Sequence, residues 1–278
     1  LFPYTTLFRS LDAKHQVTVI VTDHKKAPQQ GKNVTVKGDL GQSAAGKTDK
    51  NGELTVPEVE QTERHGVYIV GYTDGTFGPS RSMTRSEAAA IFARLLAEKN
   101  GDAISTAANT KFADIPAHAW YSGYVKYLSN NGITYGKSKT VFAPNDAITR
   151  AEFTTMAVRF FDVYGDGDAE IMEQFSGFHD VSSGYWAAEY IKYAALHGWI
   201  NGYGDGSFHA EREINRAEVV TIVNRLLGRE ADEDYIADNL RKLNTFPDVS
   251  RKHWAYYAVM EAANAHTAVL GESESWSK

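Results

Sequence analysis

Residues 148–152 read Ile148-Thr149-Arg150-Ala151-Glu152, and the pattern returns as Met83-Thr84-Arg85-Ser86-Glu87 and as Ile214-Asn215-Arg216-Ala217-Glu218. The arginines stand 65 and 66 residues apart, so the chain is built on a repeat. In each copy a Thr or Asn lies three residues ahead of a Glu, and an apolar run follows. That is a capping box: the Thr or Asn side chain accepts from the third helical amide, and the Glu reaches back to the cap amide. Thr84 with Glu87, Thr149 with Glu152 and Asn215 with Glu218 are therefore read as structural caps. Behind them, Ala88, Ile91, Phe92 and Leu95 fall on one face of the first predicted helix, and Val219, Ile222, Val223 and Leu226 on one face of the third.

A second motif runs on the same period. Phe112-Ala113-Asp114-Ile115 recurs as Phe178-His179-Asp180-Val181 and Phe246-Pro247-Asp248-Val249, with the aspartates 66 and 68 residues apart. Trp120, Trp186 and Trp254 follow at the same spacings and lead segments of helical periodicity, which Gly132 and Gly198 end in the first two. A third motif, Gly71-Tyr72-Thr73-Asp74-Gly75-Thr76-Phe77, returns as Gly202-Tyr203-Gly204-Asp205-Gly206-Ser207-Phe208. Asp-Gly at its centre predicts a tight turn that delivers Phe77 or Phe208 to the core. Asp114, Asp180 and Asp248 are expected to cap helices or pin loops. The middle copy departs: Gly136-Lys137-Ser138-Lys139 stands where the Asp-Gly turn should be.

Each repeat is thus a Trp-led helix, a Gly-rich loop and a capped helix. Residues 67–98 hold only the second half; 108–163 and 175–229 are complete; 245–268 hold only a first half. Two halves and two wholes make three, so the last half is expected to complete the first repeat and close a ring, burying ends that a linear array must otherwise cap. Residues 231–243 read as an additional helix ahead of the last half.

Residues 11–64 carry a different pattern. Gln16-Val17-Thr18-Val19-Ile20-Val21-Thr22 and Asn33-Val34-Thr35-Val36-Lys37 are β-branched strands, and Asn51-Gly52 predicts a hairpin turn ahead of Leu54 and Val56. A small β-sandwich, or part of one, is expected. The Thr48 to Val56 stretch resembles Ig-like and carboxypeptidase-regulatory-like modules. His15 and His24 flank a strand and read as solvated. Residues 1–10 start at Leu1 without a basic region or a small-residue cleavage site; they stay unassigned, as a truncated start or a non-native tail, and say nothing of export.

The 278 residues are 42% hydrophobic and 23% charged, the mix of a folded globular chain. A formal net charge of −6 argues against a nucleic-acid partner. Cysteine is absent, which excludes disulfides, thiolate metal sites and cysteine nucleophiles and agrees with export to a Gram-positive surface. No apolar run approaches the roughly 18 residues of a membrane span. Gly165-Asp166-Gly167-Asp168 with Glu170 lacks the full spacing of a calcium loop and reads as a linker. No Ser–His–Asp order, phosphate loop or His-x-x-x-His pattern appears.

The recurring residues resemble the S-layer homology (SLH) domain family. The resemblance rests on Phe246-Pro247-Asp248-Val249 with His253-Trp254-Ala255, on the Gly71 loop ending at Phe77, and on Ile148-Thr149-Arg150-Ala151-Glu152, and it covers residues 67–268. Together with the strand pattern of residues 11–64, it implies a multi-domain chain: a small all-β, sandwich-like N-terminal module followed by a mainly α-helical, pseudo-threefold SLH assembly. It also implies non-covalent anchoring of a secreted surface protein to the bacterial cell wall through a secondary cell wall polysaccharide, often bearing pyruvylated N-acetylmannosamine. No catalysis, cofactor or metal is expected.

For such a ligand, Arg85, Arg150 and Arg216 suit a pyruvyl carboxylate, because guanidinium binds it bidentately and helix N-termini favour anions. A salt bridge to a nearby carboxylate is the competing explanation. Trp120, Trp186 and Trp254 can cover sugar faces or fill the core, and Asp74 and Asp205 can accept sugar hydroxyls. In the middle copy the site either loses an acceptor or gains Lys137 and Lys139 as anion contacts. Two alternatives stand beside this reading: the anchor portion of a larger wall-acting enzyme, and a self-assembling surface-layer protein.

Overall fold

The computed structural model describes residues 4–9, 17–23, 27–37, 43–56, 61–164, 175, 177–270 and 274–277. His15, His24, the glycine-aspartate stretch at 165–168 and Glu170 lie outside them. Two compact modules divide the chain, one of Leu1–Glu63 with Val269–Glu272 and one of Arg64–Ala268 with Ser273–Lys278.

In the first module, β1 (Tyr4–Arg9), β2 (Val17–Asp23) and β5 (Glu53–Val56) form an antiparallel sheet of order β1-β2-β5, with Leu7 opposite Ile20 and Val19 opposite Leu54. β3 (Asn33–Lys37) and β4 (Ser43–Lys47) form a second, two-stranded sheet. Residues 4–9, unassigned from sequence, are thus a strand; aromatic and β-branched residues in Tyr4-Thr5-Thr6-Leu7-Phe8 suit a pleated surface. The Asn51-Gly52 turn forms, with Gly52 at φ 74° and its amide donating to Asp49 O at 3.0 Å. It does not join a paired hairpin, however. β4 is diverted to β3 because Thr48 continues that pairing, exchanging amide bonds with Lys32 and Gly31, and β5 pairs with β2 instead.

The second module is built on α1 (Arg85–Asn100), α3 (Arg150–Tyr164) and α5 (Arg216–Leu227). Three backbone hydrogen bonds ahead of them run in a cycle: Met83 N–H donates to Ile214 O (2.9 Å), Ile214 to Ile148 O (3.1 Å) and Ile148 to Met83 O (2.9 Å). α1 departs from the one-faced pattern. Its residues 88–93 are all buried, because neighbours cover it on several sides. Phe92 meets Phe153 and Phe160 at centroid distances of 5.4 and 4.9 Å.

Shorter helices pack outside: α2 (Ser122–Asn130) on α1, α4 (Ala188–Leu196) on α3 and α7 (Tyr256–Ala263) on α5. The tryptophans do not lie within these helices as the periodicity suggested. Trp120, Trp186 and Trp254 sit in turns two residues ahead of each first helical residue. α6 (Glu233–Asn239) and a 3-10 turn (Leu240–Lys242) occupy the predicted extra segment. Not foreseen is a three-stranded sheet of order β6-β7-β8, from β6 (Gln61–His65), β7 (His266–Leu270) and β8 (Ser275–Ser277).

The aspartates pin loops. Asp114 accepts from the amides of Phe142 (2.9 Å) and Ala143 (2.6 Å), and Asp180 from those of Phe208 and His209 (both 2.7 Å). Asp248 does the same for Phe77 (2.9 Å) and Gly78 (2.7 Å) across 171 and 170 residues of chain.

Candidate functional site

All three capping boxes are present. Glu87, Glu152 and Glu218 amides donate to Thr84 Oγ1 (3.2 Å), Thr149 Oγ1 (3.2 Å) and Asn215 Oδ1 (2.9 Å), and each Glu accepts in return from the cap amide. The amides of the first two residues of each helix donate to a neighbouring loop: Arg85 to Asp146 O and Ser86 to Pro144 O, Arg150 to Arg212 O and Ala151 to Ala210 O, Arg216 to Arg81 O and Ala217 to Pro79 O. The helix N-termini are therefore saturated by the protein itself. The amide contribution expected at the arginines for an external anion is not on offer.

The arginines occupy the same arrangement three times. Each is only 4% exposed. Their Nε groups donate to Phe142 O (2.7 Å), Phe208 O (2.9 Å) and Phe77 O (2.8 Å). Their terminal nitrogens face the capping glutamate of another repeat: Arg85 to Glu152 at 3.0 Å, Arg150 to Glu218 at 3.3 Å and Arg216 to Glu87 at 4.0 Å. The anion that a cation at this position calls for is thus internal. Burial draws the Arg150 and Arg216 pKa values down, against the opposing pull of the neighbouring carboxylates Glu218 and Glu87.

Two of the arginines still reach clefts, and the clefts are counterparts. One is lined by Arg150, Asn201, Gly202, Tyr203, Glu218, Arg225 and Trp254. The other is lined by Arg216, Val70, Gly71, Tyr72, Glu87, Arg94 and Trp120, which take the corresponding positions in the repeat. Trp120 and Trp254 are 54% and 65% exposed, so they are rims of clefts and not core; Trp186, at 56%, is equally exposed. In the third position Tyr135 stands where Asn201 and Val70 stand elsewhere, and its ring lies 4.8 Å from the Arg159 guanidinium.

Asp74 and Asp205 do not line these two clefts. Each closes its own turn, accepting from Thr76 or Ser207 through both amide and hydroxyl, and those bonds hold the carboxyl below its usual range. In the middle repeat Lys137 is paired to Asp146 at 2.9 Å. Sequence reasoning missed Arg94, Arg159 and Arg225, although each follows its motif arginine by nine residues. Among the described residues neither Arg94 nor Arg225 forms an ion pair. Arg94 lies 5.1 Å from the Tyr124 ring, while Arg225 is exposed. It also missed Tyr203, whose hydroxyl donates to Glu218 Oε1 at 2.9 Å within the first cleft.

Residues 55–89, 111–154 and 177–220 match the S-layer homology domain. The chain is 34% identical over 218 residues to cell surface glycoprotein 1 of Acetivibrio thermocellus, covering 76% of this chain and 9% of that protein. It is 30% identical over 233 residues to the cellulosome-anchoring protein of the same organism, covering 83% of this chain and 49% of that one. Similarity to the surface-layer 125 kDa protein of Lysinibacillus sphaericus is 33% over 163 residues, or 57% and 13% of the two chains. The chain spans half or less of the length of each of these relatives. No helix among the described residues is long and apolar enough to cross a membrane.

Proposed function

From the three S-layer homology domains that this chain carries, we propose that it anchors a surface protein non-covalently to the bacterial cell wall by binding an anionic, pyruvylated secondary cell wall polysaccharide. Similarity to a cellulosome-anchoring protein and to a surface-layer protein supports a place at the cell surface and a non-catalytic module. The cycle of hydrogen bonds through Met83, Ile148 and Ile214 supports a pseudo-threefold assembly, and Asp248 on Phe77 and Gly78 supports residues 245–268 as the completion of the repeat begun at 67–98. Residues 11–64, whose described part holds strands, turns and irregular segments but no helix, fit a small β spacer.

The observation that carries the binding reading is the recurrence of one cleft, arginine floor, tyrosine wall and exposed tryptophan rim, at two places in the ring. In this reading Trp254 and Trp120 cover the apolar face of a sugar, and Arg225 and Arg94, having no carboxylate partner among the described residues, meet the ligand carboxylate. Arg150 and Arg216 shape the floor and add field. The position with Arg85 and Trp186 is the weakest, because Tyr135 already engages Arg159 there.

Purified chain mixed with wall sacculi tests this. Binding should disappear when mild acid has removed the polymer, and should fall in Trp254→Ala and Arg225→Ala while circular dichroism stays native. Undiminished binding to stripped sacculi would reject the polymer as partner. A lattice-forming role draws on the surface-layer relative; sedimentation of the chain without wall material separates it from anchoring.

A further inference from the structure

Apart from the residues that line the clefts, four titratable side chains of the second module converge. His65 ends β6, Glu261 lies in α7, His266 opens β7 and Glu274 immediately precedes β8. One ligand atom from each lies within 4.8 Å of all the others. His65 Nδ1 is 3.2 Å from Glu261 Oε1 and 3.2 Å from Glu274 Oε1. His266 Nε2 is 3.3 Å from Glu261 Oε2 and 3.2 Å from Glu274 Oε1, and the two nitrogens are 3.1 Å apart. A tetrahedral ion bound at about 2.0–2.1 Å sets its donors roughly 3.3–3.4 Å apart. The imidazole–carboxylate and imidazole–imidazole separations, 3.1–3.3 Å, are close to that size, with Glu261 turning a different oxygen to each ring, and the whole set lies within 4.8 Å.

The surroundings orient these groups. His266 Nδ1 lies 3.0 Å from Asn264 O; donating there leaves the Nε2 lone pair turned to the cluster. The Trp276 indole donates to Glu274 Oε1 at 3.1 Å and stacks on His266 at 3.8 Å, and the Glu230 amide donates to Glu274 Oε2 at 2.9 Å. Glu261 is the exception: it is 1% exposed, and among the described residues no backbone amide or indole donates to it, so its two oxygens face only the imidazoles of His65 and His266. A buried carboxylate aimed at imidazole nitrogens without such bonds calls for a cation at the centre.

The geometry points to a structural zinc site formed by His65, Glu261, His266 and Glu274. Two imidazoles and two carboxylates in a closed, four-donor, buried set suit Zn²⁺; calcium requires six to eight oxygens, and magnesium keeps several waters. The ion would fasten the strand ahead of the first repeat to the segment after the last, a crosslink over most of the chain in a protein without cysteine. An ion bound only by the folded state raises stability by mass action.

The test uses the untagged 278-residue chain, stripped with EDTA and dialysed. Added Zn²⁺ should be retained at about one ion per chain and should raise Tm, and EDTA should reverse the rise. Co²⁺ in its place should give the intense visible bands of a tetrahedral site. Glu261→Gln, which keeps the side-chain volume, should lose both the bands and the Zn²⁺-dependent rise in Tm. Wild-type chain that shows neither a tetrahedral Co²⁺ spectrum nor any effect of chelator would overturn the site, leaving an imidazolium–carboxylate network. So would bands that persist in Glu261→Gln and His266→Ala. The wild-type titration decides even where a variant fails to fold.

Discussion

Arg85 forms an ion pair with Glu152 across 3.0 Å, and Glu152 is the residue that closes the cap of the next repeat's helix. The cap and the inter-repeat bond therefore share one carboxylate. Its two oxygens divide the work: Oε2 accepts from the Thr149 amide and Oε1 faces the guanidinium. Glu218 does likewise, with Oε2 on the Asn215 amide and Oε1 on Arg150. The Thr-Arg-Ala-Glu motif thus encodes both the start of a helix and its attachment to the preceding one.

Arg85→Ala should consequently destabilise the second module. Removing one member of a buried pair costs ~3–5 kcal/mol, and Glu152, with 21% of its side chain exposed, places this case toward the low end. Arg225→Ala, on an exposed side chain, should stay within ~0.5 kcal/mol of wild type. Urea unfolding of the two variants measures the contrast. An Arg85→Ala chain of native stability would remove the strut role and return that arginine to ligand binding.

The repeat was legible because its motifs are local: Thr-x-x-Glu and Asp-Gly each define a cap or turn within a few residues. What those residues meet in other repeats was not. Arg150 reads as a cation at a helix start, and only the fold reveals that Glu218 is its anion. Arg225 was overlooked because an arginine nine residues into a helix has no local signature. The tryptophans were ambiguous because helical spacing extends into the turn ahead of each helix, where burial ends. His65 and Glu274 lie 209 residues apart, at the two ends of the second module, and no spacing could have joined them.

Trp254 separates recognition from folding. At 65% exposed it holds little of the core, so Trp254→Ala should change stability by less than ~1 kcal/mol while removing much of the affinity for wall polymer. Phe77→Ala is the opposite case. Phe77 is fully buried against Phe246, and its truncation should cost ~3–5 kcal/mol. Thermal melts and a sacculus pull-down on both variants check the division.

Acid should act through the loop pins. Burial opposes the charge of Asp114 and Asp180, but the paired amides of Phe142 and Ala143, and of Phe208 and His209, outweigh it and hold both carboxyls below their usual range. A carboxyl depressed by folding contributes stability that is complete above its unfolded pKa, about 3.9 for Asp, and that is lost as pH falls through the folded value. Asp180→Asn should therefore be less stable than wild type at pH 7, and the difference should shrink below about pH 4. Melts from pH 7 to pH 2.5 would show it; a constant difference would mean that Asp180 acts by shape and not by charge.

The glycines of the loops separate close approach from backbone conformation. A Cβ on Gly202 would lie 2.4 Å from Phe178 Cε1 and 2.7 Å from Ser207 O, and Gly71 and Gly136 repeat this against Phe246 and Phe112. The aromatic of the Phe-x-Asp motif thus packs on the bare Cα of the Gly-rich loop, which is why both motifs share one period. Gly202→Ala must displace a ring and a carbonyl and should cost at least the ~1–3 kcal/mol of an overpacked core. Gly75→Ala meets nothing within 4 Å but sits at φ 82°, so it should lose ~1 kcal/mol to backbone strain alone. Gly204→Ala meets neither obstacle and should be neutral or slightly stabilising, by up to ~1 kcal/mol, through the unfolded chain. Chemical denaturation of the three single variants should rank them in that order, and a Gly202→Ala chain as stable as Gly204→Ala would show that the loop can yield where the packing says it cannot.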